Sequence, residues 1–533
     1  MRADQLCRSI PRMALASAER FGDEVAVIDG DERISFREIE DRMIAVGRSL
    51  LAKGIEPGDR VALWAPNSAG WITTALGILA TGARLVPLNT RFKGQEAAYI
   101  LRQCGARGLI CVDGFLGIRY LDMLRDADPS LPTLSTVVHL QGPELEGATS
   151  WDEFLARGAA VDEARLRRQI EAIQADDGSD VLFTSGTTGH PKGAMLRHGT
   201  SLRCYEDYNR TYQLGPGDRI LIVTPFFHCF GYKAGWMVSL MAGAASVPVA
   251  VFEPEAALKT IERLRITHTA GAPTMFWALL DHPTRPQRDL SSLRRAMASA
   301  AYVPLELIER MKSELGIEQP LTGYGLTEAH AIVSKSVPDE PLEIVSNWSG
   351  QVLDDVEVRI VNDEGADVPL GDRGELLVRG YNLMDGYFGD PEATASVIDA
   401  EGWLHTGDIA YMNAERYLKV CDRKKDMYVT GGFNVAPAEV EALLMEWDAI
   451  SACAVIGMAD PRWGEVGRAF VVPSEGTKLA SDDVIEYARA HMANYKVPRE
   501  VHLVDALPLN ATGKVMKDAL RRLADGHGAE AAR

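Results

Sequence analysis

The most informative stretch of this chain is VLFTSGTTGHPKGAML, residues 181–196. Three apolar residues at 181–183 predict a buried strand that runs straight into a loop of glycines and hydroxyl side chains. Glycines allow backbone N–H groups to turn inward and form an anion-binding nest, and the hydroxyls add further donors. We expect a phosphate cradle formed by Thr184, Ser185, Gly186, Thr187, Thr188, Gly189 and Lys192.

The spacing in this cradle differs from that of a P-loop. Only His190 and Pro191 separate Gly189 from Lys192, whereas GxxxxGK[ST] places its lysine directly after the second glycine. A tight polar turn would account for the glycines, but not for three threonines, a serine and a lysine together. The sequence therefore predicts a phosphate site of another kind.

The composition is that of a globular protein with more than one domain. The chain has 533 residues, of which 46% are hydrophobic and 25% are charged, and its formal net charge is -19. Because it contains no Lys/Arg-rich run, we expect neither nucleic acid nor an anionic membrane surface as a partner. A ligand with phosphates would instead need a few clustered basic side chains.

Nothing in the sequence predicts export or insertion into a membrane. Residues 1–25 are polar and interrupted by charges, unlike a signal peptide. No uncharged apolar run reaches the length of about eighteen residues that a spanning helix needs. The seven cysteines are scattered, without zinc spacing, and their odd number does not suit a disulfide framework. We therefore expect a cytoplasmic protein.

Strand and helix patterns alternate along most of the chain. Residues 61–66 and 108–113 predict buried strands, and residues 36–54 and 70–83 carry apolar side chains at helical spacing. Such alternation predicts the α/β class, with a parallel sheet covered on both faces. Residues 352–379 change character and predict a small β unit of short strands joined by Gly-Asp turns.

The C-terminal part is predicted to be a small separate domain. Five consecutive charged residues, 422–426, indicate a solvated connection, and the segments after it predict a compact α+β unit. We therefore expect a large N-terminal domain of layered α/β subdomains at 1–424, an α+β domain at 425–525, and a disordered tail at 526–533.

The cradle resembles the signature loop of the adenylate-forming superfamily, which includes acyl-CoA synthetases, luciferases and the adenylation domains of peptide synthetases. Further segments resemble the motifs of this superfamily in the same order along the chain: 224–232, 297–304, 323–329, 402–408, 422–441 and 507–517. In 297–304 this chain has Ser299-Ala300-Ala301 where many members have a glycine. The resemblance covers about residues 10–520 and implies a C-terminal domain that is mobile.

The resemblance implies roles for side chains in GYGLTEA, residues 323–329. Tyr324 would stack on adenine, and Thr327 would bind the α-phosphate. Glu328, together with Thr184, would hold Mg²⁺, a hard cation that is usually bound by few carboxylates and by substrate phosphates.

The C-terminal motifs complete the implied site. Asp408 would accept hydrogen bonds from the ribose hydroxyls, and Arg423 would be a second ribose or phosphate contact. Lys514 would be the lysine that promotes adenylation. Lys425 would be the hinge of the mobile domain, and Gly431-Gly432 would approach the pantetheine of coenzyme A.

His228 lies within the aromatic segment TPFFHCFGY, residues 224–232. A histidine among phenylalanines is more often a packed core residue, but in the superfamily this position lines the acyl pocket beside the reacting carboxylate. Amino-acid-activating members carry an acidic residue near this position, and PFFHCFGY has none. The resemblance therefore implies an acid without an α-amino group, and the aromatic side chains favour an apolar acyl chain.

The resulting hypothesis is an ATP-dependent acyl-CoA synthetase that uses Mg²⁺, forms an acyl-adenylate and transfers the acyl group to coenzyme A. The alternatives are an enzyme that loads a carrier protein, a luciferase-like oxygenase, and a nucleotide-sensing protein without catalysis. Only about twenty residues follow Lys514, which favours a free thiol acceptor over a carrier domain. The chain as a whole resembles bacterial fatty-acid-type CoA ligases, including those of steroid-degradation propionates. Whether the acid is fatty, aromatic or steroid-derived stays open, as does the formation of a homodimer.

Overall fold

The computed structural model describes residues 2–131, 133–141, 145–184, 191–301, 303–424, 426–430, 433–460, 463–492, 494–510 and 513–524. Strands and helices alternate through the N-terminal part and then give way to smaller sheets. The predicted tail at 526–533 lies outside the described residues.

The strands of the described residues group into five sheets. In chain order the strands are β1 (Val25–Asp29), β2 (Glu32–Ser35), β3 (Arg60–Trp64), β4 (Arg84–Pro87), β5 (Gly108–Val112), β6 (Thr136–Gln141), β7 (Thr149–Ser150), β8 (Gly178–Thr184), β9 (Lys192–Arg197), β10 (Arg219–Ile222), β11 (Ala245–Pro248), β12 (His268–Gly271), β13 (Arg295–Ala298), β14 (Gln319–Leu321), β15 (Gly323–Tyr324), β16 (Ser334–Lys335), β17 (Gln351–Val352), β18 (Val356–Val361), β19 (Gly374–Gly380), β20 (Leu404–Met412), β21 (Leu418–Arg423), β22 (Tyr428–Thr430), β23 (Phe433–Val435), β24 (Ile450–Asp460), β25 (Gly464–Pro473) and β26 (Glu500–Leu503).

Helices cover the sheets and connect their strands. In chain order the α-helices are α1 (Ala3–Leu6), α2 (Ile10–Phe21), α3 (Phe36–Ala52), α4 (Ala69–Ala80), α5 (Gly94–Gln103), α6 (Tyr120–Ala127), α7 (Trp151–Gly158), α8 (Glu163–Ala172), α9 (His198–Tyr212), α10 (Cys229–Gly231), α11 (Val238–Ala242), α12 (Pro254–Leu264), α13 (Pro273–Leu280), α14 (Leu305–Glu314), α15 (Leu342–Asn347), α16 (Pro391–Ala395), α17 (Pro437–Met445), α18 (Ser481–His491) and α19 (Lys517–Ala524). Within the described ranges, none of the helices combines the length and the apolar character needed to cross a bilayer.

Two seven-stranded sheets form the larger part of the molecule. The strand order is β7-β6-β5-β3-β4-β8-β9 in one and β14-β13-β12-β10-β11-β1-β2 in the other. Most neighbouring strands are parallel, as the alternation of strands and helices predicts. The expectation of a parallel sheet is wrong for β8–β9 and β1–β2, which are antiparallel because their connections are too short for a crossover helix.

Helices α3 and α4 confirm the helical periodicity of residues 36–54 and 70–83 and pack closely on each other. A Cβ on Gly77 would lie 2.4 Å from Cγ1 of Val46, and one on Gly47 would lie 3.4 Å from the Gly77 carbonyl oxygen. Glycines at this crossing therefore let the helix backbones approach. The close contact seals α4, whose side chains from Trp71 to Ala80 are all buried.

The predicted small β unit is present and is larger than expected. Strands β18–β21 form a four-stranded antiparallel sheet, beside a three-stranded sheet of β15–β17. The first two residues of the predicted solvated connection at 422–426, Asp422 and Arg423, end β21, although the Arg423 side chain is 45% exposed. Their charges do not keep them out of the sheet because Arg423 pairs with Asp408 and because Asp422 accepts the backbone N–H of Ala438 at 2.9 Å.

The C-terminal part forms a separate α+β domain, as predicted. Strands β22–β26 make their own sheet, on which α17 and α18 pack. Its core of Val440, Leu444, Val455, Val471 and Val484 is distinct from the cores of the N-terminal sheets.

Candidate active site

A cavity of about 1240 Å³ lies where the large sheets, the small sheets and a loop of the C-terminal domain meet. Strand ends from β8, β9, β15 and β16 contribute to its wall. Of the predicted site residues, the wall contains Thr184, Lys192, His228, Tyr324, Thr327, Glu328, Arg423 and Lys514. The fold therefore brings together motifs that are far apart in the sequence.

Strands β8 and β9 hold the two ends of the predicted phosphate cradle. They pair in antiparallel fashion, with Thr184 opposite Lys192. The Thr184 hydroxyl donates to the Lys192 carbonyl oxygen at 3.4 Å, and Nζ of Lys192 lies 5.3 Å from the centre of the Tyr387 ring. The cradle residues between them, Ser185, Gly186, Thr187, Thr188 and Gly189, lie outside the described residues. A hairpin thus brackets the cradle, in place of the strand and helix of a P-loop.

Glu328 lies in a short 3-10 turn close to the end of β8. Its Oε1 accepts hydrogen bonds from the Tyr387 hydroxyl at 2.9 Å and from the Thr184 hydroxyl at 3.4 Å. The chain folds back tightly here, since a Cβ on Gly325 would lie 2.1 Å from the backbone of Ala331. Glycine at position 325 is therefore needed for the loop that presents Glu328.

Asp408, Arg423 and Tyr324 form a bonded group at the same wall. Asp408 faces Arg423 across β20 and β21, with Nε 2.7 Å from Oδ1, and the Tyr324 hydroxyl donates to Asp408 Oδ2. Asp408 is only 3% exposed. Burial raises the pKa of its carboxyl, whereas Arg423 and the Tyr324 hydroxyl lower that pKa. The residues predicted to contact adenine and ribose are thus held together before any ligand binds.

Lys514 enters the cavity from a turn of the C-terminal domain. The Asn510 side-chain oxygen accepts the Lys514 backbone N–H at 2.9 Å. Gly513 has a φ of +81°, and a Cβ there would lie 3.0 Å from Oγ1 of Thr274 at the start of α13. A glycine at 513 therefore serves both the left-handed turn and its contact with the N-terminal domain.

The pKa values of Lys514 and His228, which both line the cavity, are lowered. Burial and the neighbouring Arg423 lower the pKa of Lys514, and the attraction of Asp408 acts in the opposite direction. His228 accepts the backbone N–H of Phe230 on Nδ1 at 3.2 Å. Burial and repulsion from Lys514 lower the pKa of His228 to about 4. His228 is therefore a neutral imidazole at pH 7.

Ala300 lines the cavity with a φ of +74°, a conformation that favours glycine. It lies in the segment where many adenylate-forming enzymes carry a glycine. The neighbouring Ser299 hydroxyl donates to the Gly323 carbonyl oxygen at 2.6 Å, which ties this segment to β15. The backbone shape is therefore kept with alanine, at a cost of about 1–2 kcal/mol.

Several aromatic side chains also line the cavity. We call Phe92, Tyr99, Tyr205, Tyr208, Phe227 and Phe230 the aromatic wall, and Thr184, Lys192, Tyr324, Glu328, Tyr387 and Arg423 the polar wall. A lysine, Lys335, also lines the cavity. One part of the cavity therefore suits a charged ligand, and another suits a bulky apolar group.

A buried ion pair lies behind these walls. Nζ of Lys233 lies 3.1 Å from Asp180 Oδ1, both side chains are 0% exposed, and Lys233 also donates to the Ser201 hydroxyl at 2.8 Å. Asp180 belongs to β8, and Lys233 belongs to a π-helical segment, Tyr232–Met237, that follows His228. The pair therefore joins β8, the strand before the predicted cradle, to the segment that follows residues 224–232.

Two models of known protein families match this chain. Residues 15–388 match the model of the AMP-binding enzyme family, and residues 439–514 match that of the AMP-binding enzyme C-terminal domain. The chain belongs to the AMP-binding enzyme family. The second match ends at Lys514, the residue that reaches the cavity from the C-terminal domain.

Individual relatives of this AMP-binding enzyme are similar over nearly their whole length. Two proteins named 3-[(3aS,4S,7aS)-7a-methyl-1,5-dioxo-octahydro-1H-inden-4-yl]propanoyl:CoA ligase are each 45% identical to it. The alignment covers 96% of this chain and 98% of the protein from Rhodococcus jostii (strain RHA1), and 97% and 99% for that from Mycobacterium tuberculosis (strain ATCC 25618 / H37Rv). The crystal structure of the anthranilate CoA ligase AuaEII in complex with anthranoyl-AMP has a TM-score of 0.88 and 28% identity, and covers 98% of this chain and 99% of that one.

These similarities confirm the activity that the sequence predicts. The chain is an ATP-dependent acyl-CoA synthetase, an AMP-forming acid–thiol ligase that works through an acyl-adenylate. ATP and coenzyme A are its substrates, together with a carboxylic acid. The carrier-protein and non-catalytic alternatives are not favoured.

Sequence reasoning about this AMP-binding enzyme missed several residues of the cavity. Tyr387, which donates to Glu328, follows a glycine in GYFGD, and an aromatic residue between glycines could have drawn attention to it. Tyr205 and Tyr208 lie three residues apart on α9, but this spacing equally fits an ordinary buried helix face. No sequence pattern around Lys335 indicates that this residue lines the cavity.

Three further predicted positions cannot be placed. Lys425, Gly431 and Gly432 lie outside the described residues. Among the residues that the structure describes, no cluster of three or more His, Cys, Asp or Glu side chains could hold a metal ion.

Proposed function

We propose that this acyl-CoA synthetase activates a propanoic acid attached to a bicyclic ring system with ring ketones, of the kind released in steroid degradation. The observation that carries the proposal is the 45% identity, over nearly the whole chain, to two ligases named for this acid. The aromatic wall supports it, because aromatic side chains accommodate a bulky alicyclic group. An acid of this type also lacks an α-amino group, in agreement with the absence of a carboxylate in 224–232.

The polar wall is proposed to bind ATP. The cradle between Thr184 and Lys192 would take the phosphates, Tyr324 would stack on adenine, and Asp408 with Arg423 would bind the ribose. Asp408 is suited to accept hydroxyl hydrogen bonds because Arg423, 2.7 Å away, favours the charged form of its carboxyl against the effect of burial, which raises its pKa. ATP would then replace the hydrogen bond that Tyr324 donates to Asp408.

Mg²⁺ fits the oxygen atoms next to the cradle. Glu328 and the Thr184 hydroxyl are 3.4 Å apart, and one carboxylate plus substrate phosphates is a usual set of ligands for this ion. These two residues would hold the ion, which would supply positive charge to the phosphates of ATP. Thr327, on the same turn, would bind the α-phosphate.

In the first half-reaction, a carboxylate oxygen of the acid attacks the α-phosphorus of ATP. A new P–O bond forms, the bond to the β-phosphate oxygen breaks, and pyrophosphate leaves. Because two anions must approach each other, positive charge from Lys192 and Lys514 would stabilise the transition state. Phosphates near Lys514 would counter the repulsion by Arg423 that lowers its pKa, so the ammonium form would be retained. Neutral His228 would pack beside the acid without adding charge.

In the second half-reaction, the sulfur of coenzyme A attacks the acyl carbonyl carbon. A thioester bond forms, the bond to the AMP oxygen breaks, and the thiol proton is released. Lys514 occupies space at the cavity in the described conformation, and we propose that the C-terminal domain rotates about Lys425, at a boundary between 424 and 425. This rotation would remove Lys514 and bring Gly431-Gly432 to the thiol. The cytoplasmic location and the homodimer stay predictions.

The hinge can be tested by a backbone constraint. Lys425→Pro locks φ at residue 425, so it should leave pyrophosphate release intact and slow formation of the CoA ester by about tenfold or more. Both half-reactions are measured separately, with acid plus ATP and with synthetic acyl-AMP plus coenzyme A. Equal rates in variant and wild type would place the hinge elsewhere.

The substrate proposal is tested with a panel of acids. Pyrophosphate release is measured for the bicyclic diketo propanoic acid, a medium-chain fatty acid, a long-chain fatty acid and an aromatic acid. We expect the highest kcat/KM for the bicyclic acid, with its CoA ester as product. A higher kcat/KM for any fatty or aromatic acid would overturn the proposed substrate and would leave the acyl-CoA synthetase activity intact.

A further inference from the structure

The phenolic oxygen of Tyr208 is a buried polar atom that lacks a hydrogen-bond partner within the described part of the chain. The side chain is only 4% exposed, and it lines the cavity as part of the aromatic wall. Buried hydroxyls are nearly always hydrogen-bonded, since an unpaired one loses its contacts with water and gains nothing in return. An unpaired hydroxyl in a cavity wall therefore points to a polar atom supplied by the ligand.

Contacts along α9 place Tyr208 beside the part of the cavity wall that residues 331–335 form. The Tyr205 hydroxyl donates to the His330 carbonyl oxygen at 2.9 Å, and the Thr211 hydroxyl donates to the Ser336 carbonyl oxygen, also at 2.9 Å. Helix α9 therefore runs alongside residues 330–336, with Tyr208 between these two contacts. Glu328 precedes this segment, so Tyr208 lies further along the cavity from the phosphate end than Tyr205 does.

Lys335 provides a second donor beyond Tyr208. It lines the same cavity, and its Nζ donates one hydrogen bond to the Thr211 hydroxyl at 2.8 Å, one helical turn after Tyr208. An ammonium group has three N–H donors, so others can serve a ligand. Burial lowers the pKa of Lys335, while the neighbouring carboxylates of Asp207, Asp354 and Glu340 raise it. A carbonyl oxygen is a fitting partner, because it can accept both from a phenol hydroxyl and from an ammonium N–H.

We propose that Tyr208 and Lys335 form a polar end of the acyl pocket, which donates hydrogen bonds to a carbonyl oxygen on the part of the acid remote from its carboxylate. The inference rests on the proposed function and deepens it, because it assigns the recognition of a ring ketone to two residues. Gly323 pairs with Lys335 across β15 and β16, and a Cβ there would lie 2.9 Å from the Ser334 carbonyl oxygen, so this glycine lets β16, which carries Lys335, lie close to β15.

The experiment compares substrate pairs that differ only in their ketones. One pair is the bicyclic diketo propanoic acid and its deoxo counterpart, and the other is an oxo fatty acid and the corresponding alkanoic acid. The ratio of kcat/KM for the keto acid to that for the deoxo acid is measured by pyrophosphate release. We expect a ratio of about ten or more in the wild type, because the deoxo acid leaves the two donors unpaired.

Two variants test the assignment, and a third controls for the loss of a hydroxyl from the helix. Tyr208→Phe should bring the ratio close to one, mainly through loss of activity on the keto acid, and Lys335→Met should reduce the ratio. Tyr212→Phe is the matched control, since this tyrosine lies outside the cavity wall on the same helix and its hydroxyl donates to the Thr269 carbonyl oxygen at 2.7 Å. The control should keep the wild-type ratio even if it melts at a lower temperature.

Failure of the two-residue assignment and failure of the proposed substrate would give different results. If Tyr208→Phe lowers kcat/KM equally for both members of a pair, or changes neither, the inference is overturned and the proposed substrate is unaffected. If the wild type prefers a fatty acid in the panel, the proposed substrate fails, and the oxo fatty acid pair still tests the two donors. A wild type without preference for the keto member of either pair also overturns the inference.

Discussion

The polar wall and the aromatic wall of the cavity differ in how their polar atoms are satisfied. In the polar wall the side chains bond to each other: Glu328 accepts from Tyr387, and Asp408 is held by Arg423 and Tyr324. In the aromatic wall, by contrast, the buried Tyr208 hydroxyl lacks a partner within the described residues. The side chains of the polar wall thus fix each other's positions, whereas the proposed function lets the acid complete the aromatic wall.

This difference predicts that the polar wall serves catalysis and that the aromatic wall serves the choice among acids. Preorganised charges accelerate a reaction because little reorganisation accompanies the transition state. An unpaired donor contributes little to rate in general, but it penalises any ligand that fails to pair with it. We therefore expect variants of the polar wall to slow every acid alike, and variants of the aromatic wall to change the order of preference among acids.

The largest expected effect comes from the lysine that reaches the polar wall from the C-terminal domain. Lys514→Ala should slow acyl-adenylate formation by about 10²–10³, because it removes a preorganised charge, and should spare thioester formation from synthetic acyl-AMP. The two half-reactions are measured in separate assays. Lys478→Ala, at an exposed position of the same domain, is the control and should retain both. Equal loss of both half-reactions would contradict the assigned role of Lys514.

The proposed metal ligand should give the next largest effect. Glu328→Gln removes a negative charge but keeps the size of the side chain, so we expect roughly a tenfold to hundredfold loss in kcat/KM for ATP and a higher Mg²⁺ concentration at half-maximal rate. The Mg²⁺ titration is followed by pyrophosphate release for two different acids. An unchanged titration would remove Glu328 from the metal site, and a loss confined to one acid would break the separation of the two walls.

A smaller effect is expected for the residue that supports Glu328. Tyr387→Phe removes one hydrogen bond to this carboxylate, which is worth about 0.5–1.5 kcal/mol and corresponds to a loss of roughly twofold to tenfold in kcat/KM for ATP. The loss should be the same for the bicyclic acid and for a fatty acid. A change in the preference between these acids would show that Tyr387 belongs functionally to the aromatic wall.

The smallest expected effect is on stability alone, and it comes from a buried histidine behind both walls. Burial, with repulsion from Lys233, lowers the pKa of His198 to about 3, whereas the unfolded chain has a histidine pKa of about 6.5. Between these values the unfolded state binds the additional proton, so stability falls as pH decreases below about 6.5, by up to about 1.4 kcal/mol per pH unit. His198→Asn keeps an acceptor for the Ile10 backbone N–H and should remove this contribution. The check is urea unfolding at pH 7.5, 6.5 and 5.5, and an equally steep pH dependence in the variant would contradict the shifted pKa.

The polar wall, apart from Tyr387, could be predicted from the sequence because its residues lie in contiguous motifs. Thr184 and Lys192 flank one loop, and Thr327 and Glu328 share one turn. A contiguous motif keeps its shape through local backbone geometry, such as the close approach at Gly325. Phe227 and Phe230 of the aromatic wall lie in the predicted segment 224–232, whereas Tyr205 and Tyr208 could not be predicted, since α9 joins this wall only through tertiary packing.

The fold was predictable to a similar extent, and for similar reasons. Helical periodicity predicted α3 and α4, and continuous apolar runs predicted β3 and β5. The antiparallel pairing of β8 with β9 was not predicted, because strand direction depends on the connection rather than on the strand itself. The charges of Asp422 and Arg423 did not indicate that these residues end a strand, since their partners come from other segments of the chain.

The ion pair of Lys233 and Asp180 has a consequence for protein engineering. Engineering of the enzyme for other acids would randomise positions around His228. Lys233 lies only five residues further along the chain, so it could be included among those positions. Its replacement would strand an uncompensated carboxylate in the interior, at a penalty of about 3–5 kcal/mol, on the strand that carries Thr184. Combinatorial libraries that fix Lys233 and Asp180 should therefore yield more folded, nucleotide-competent clones than libraries that vary either one.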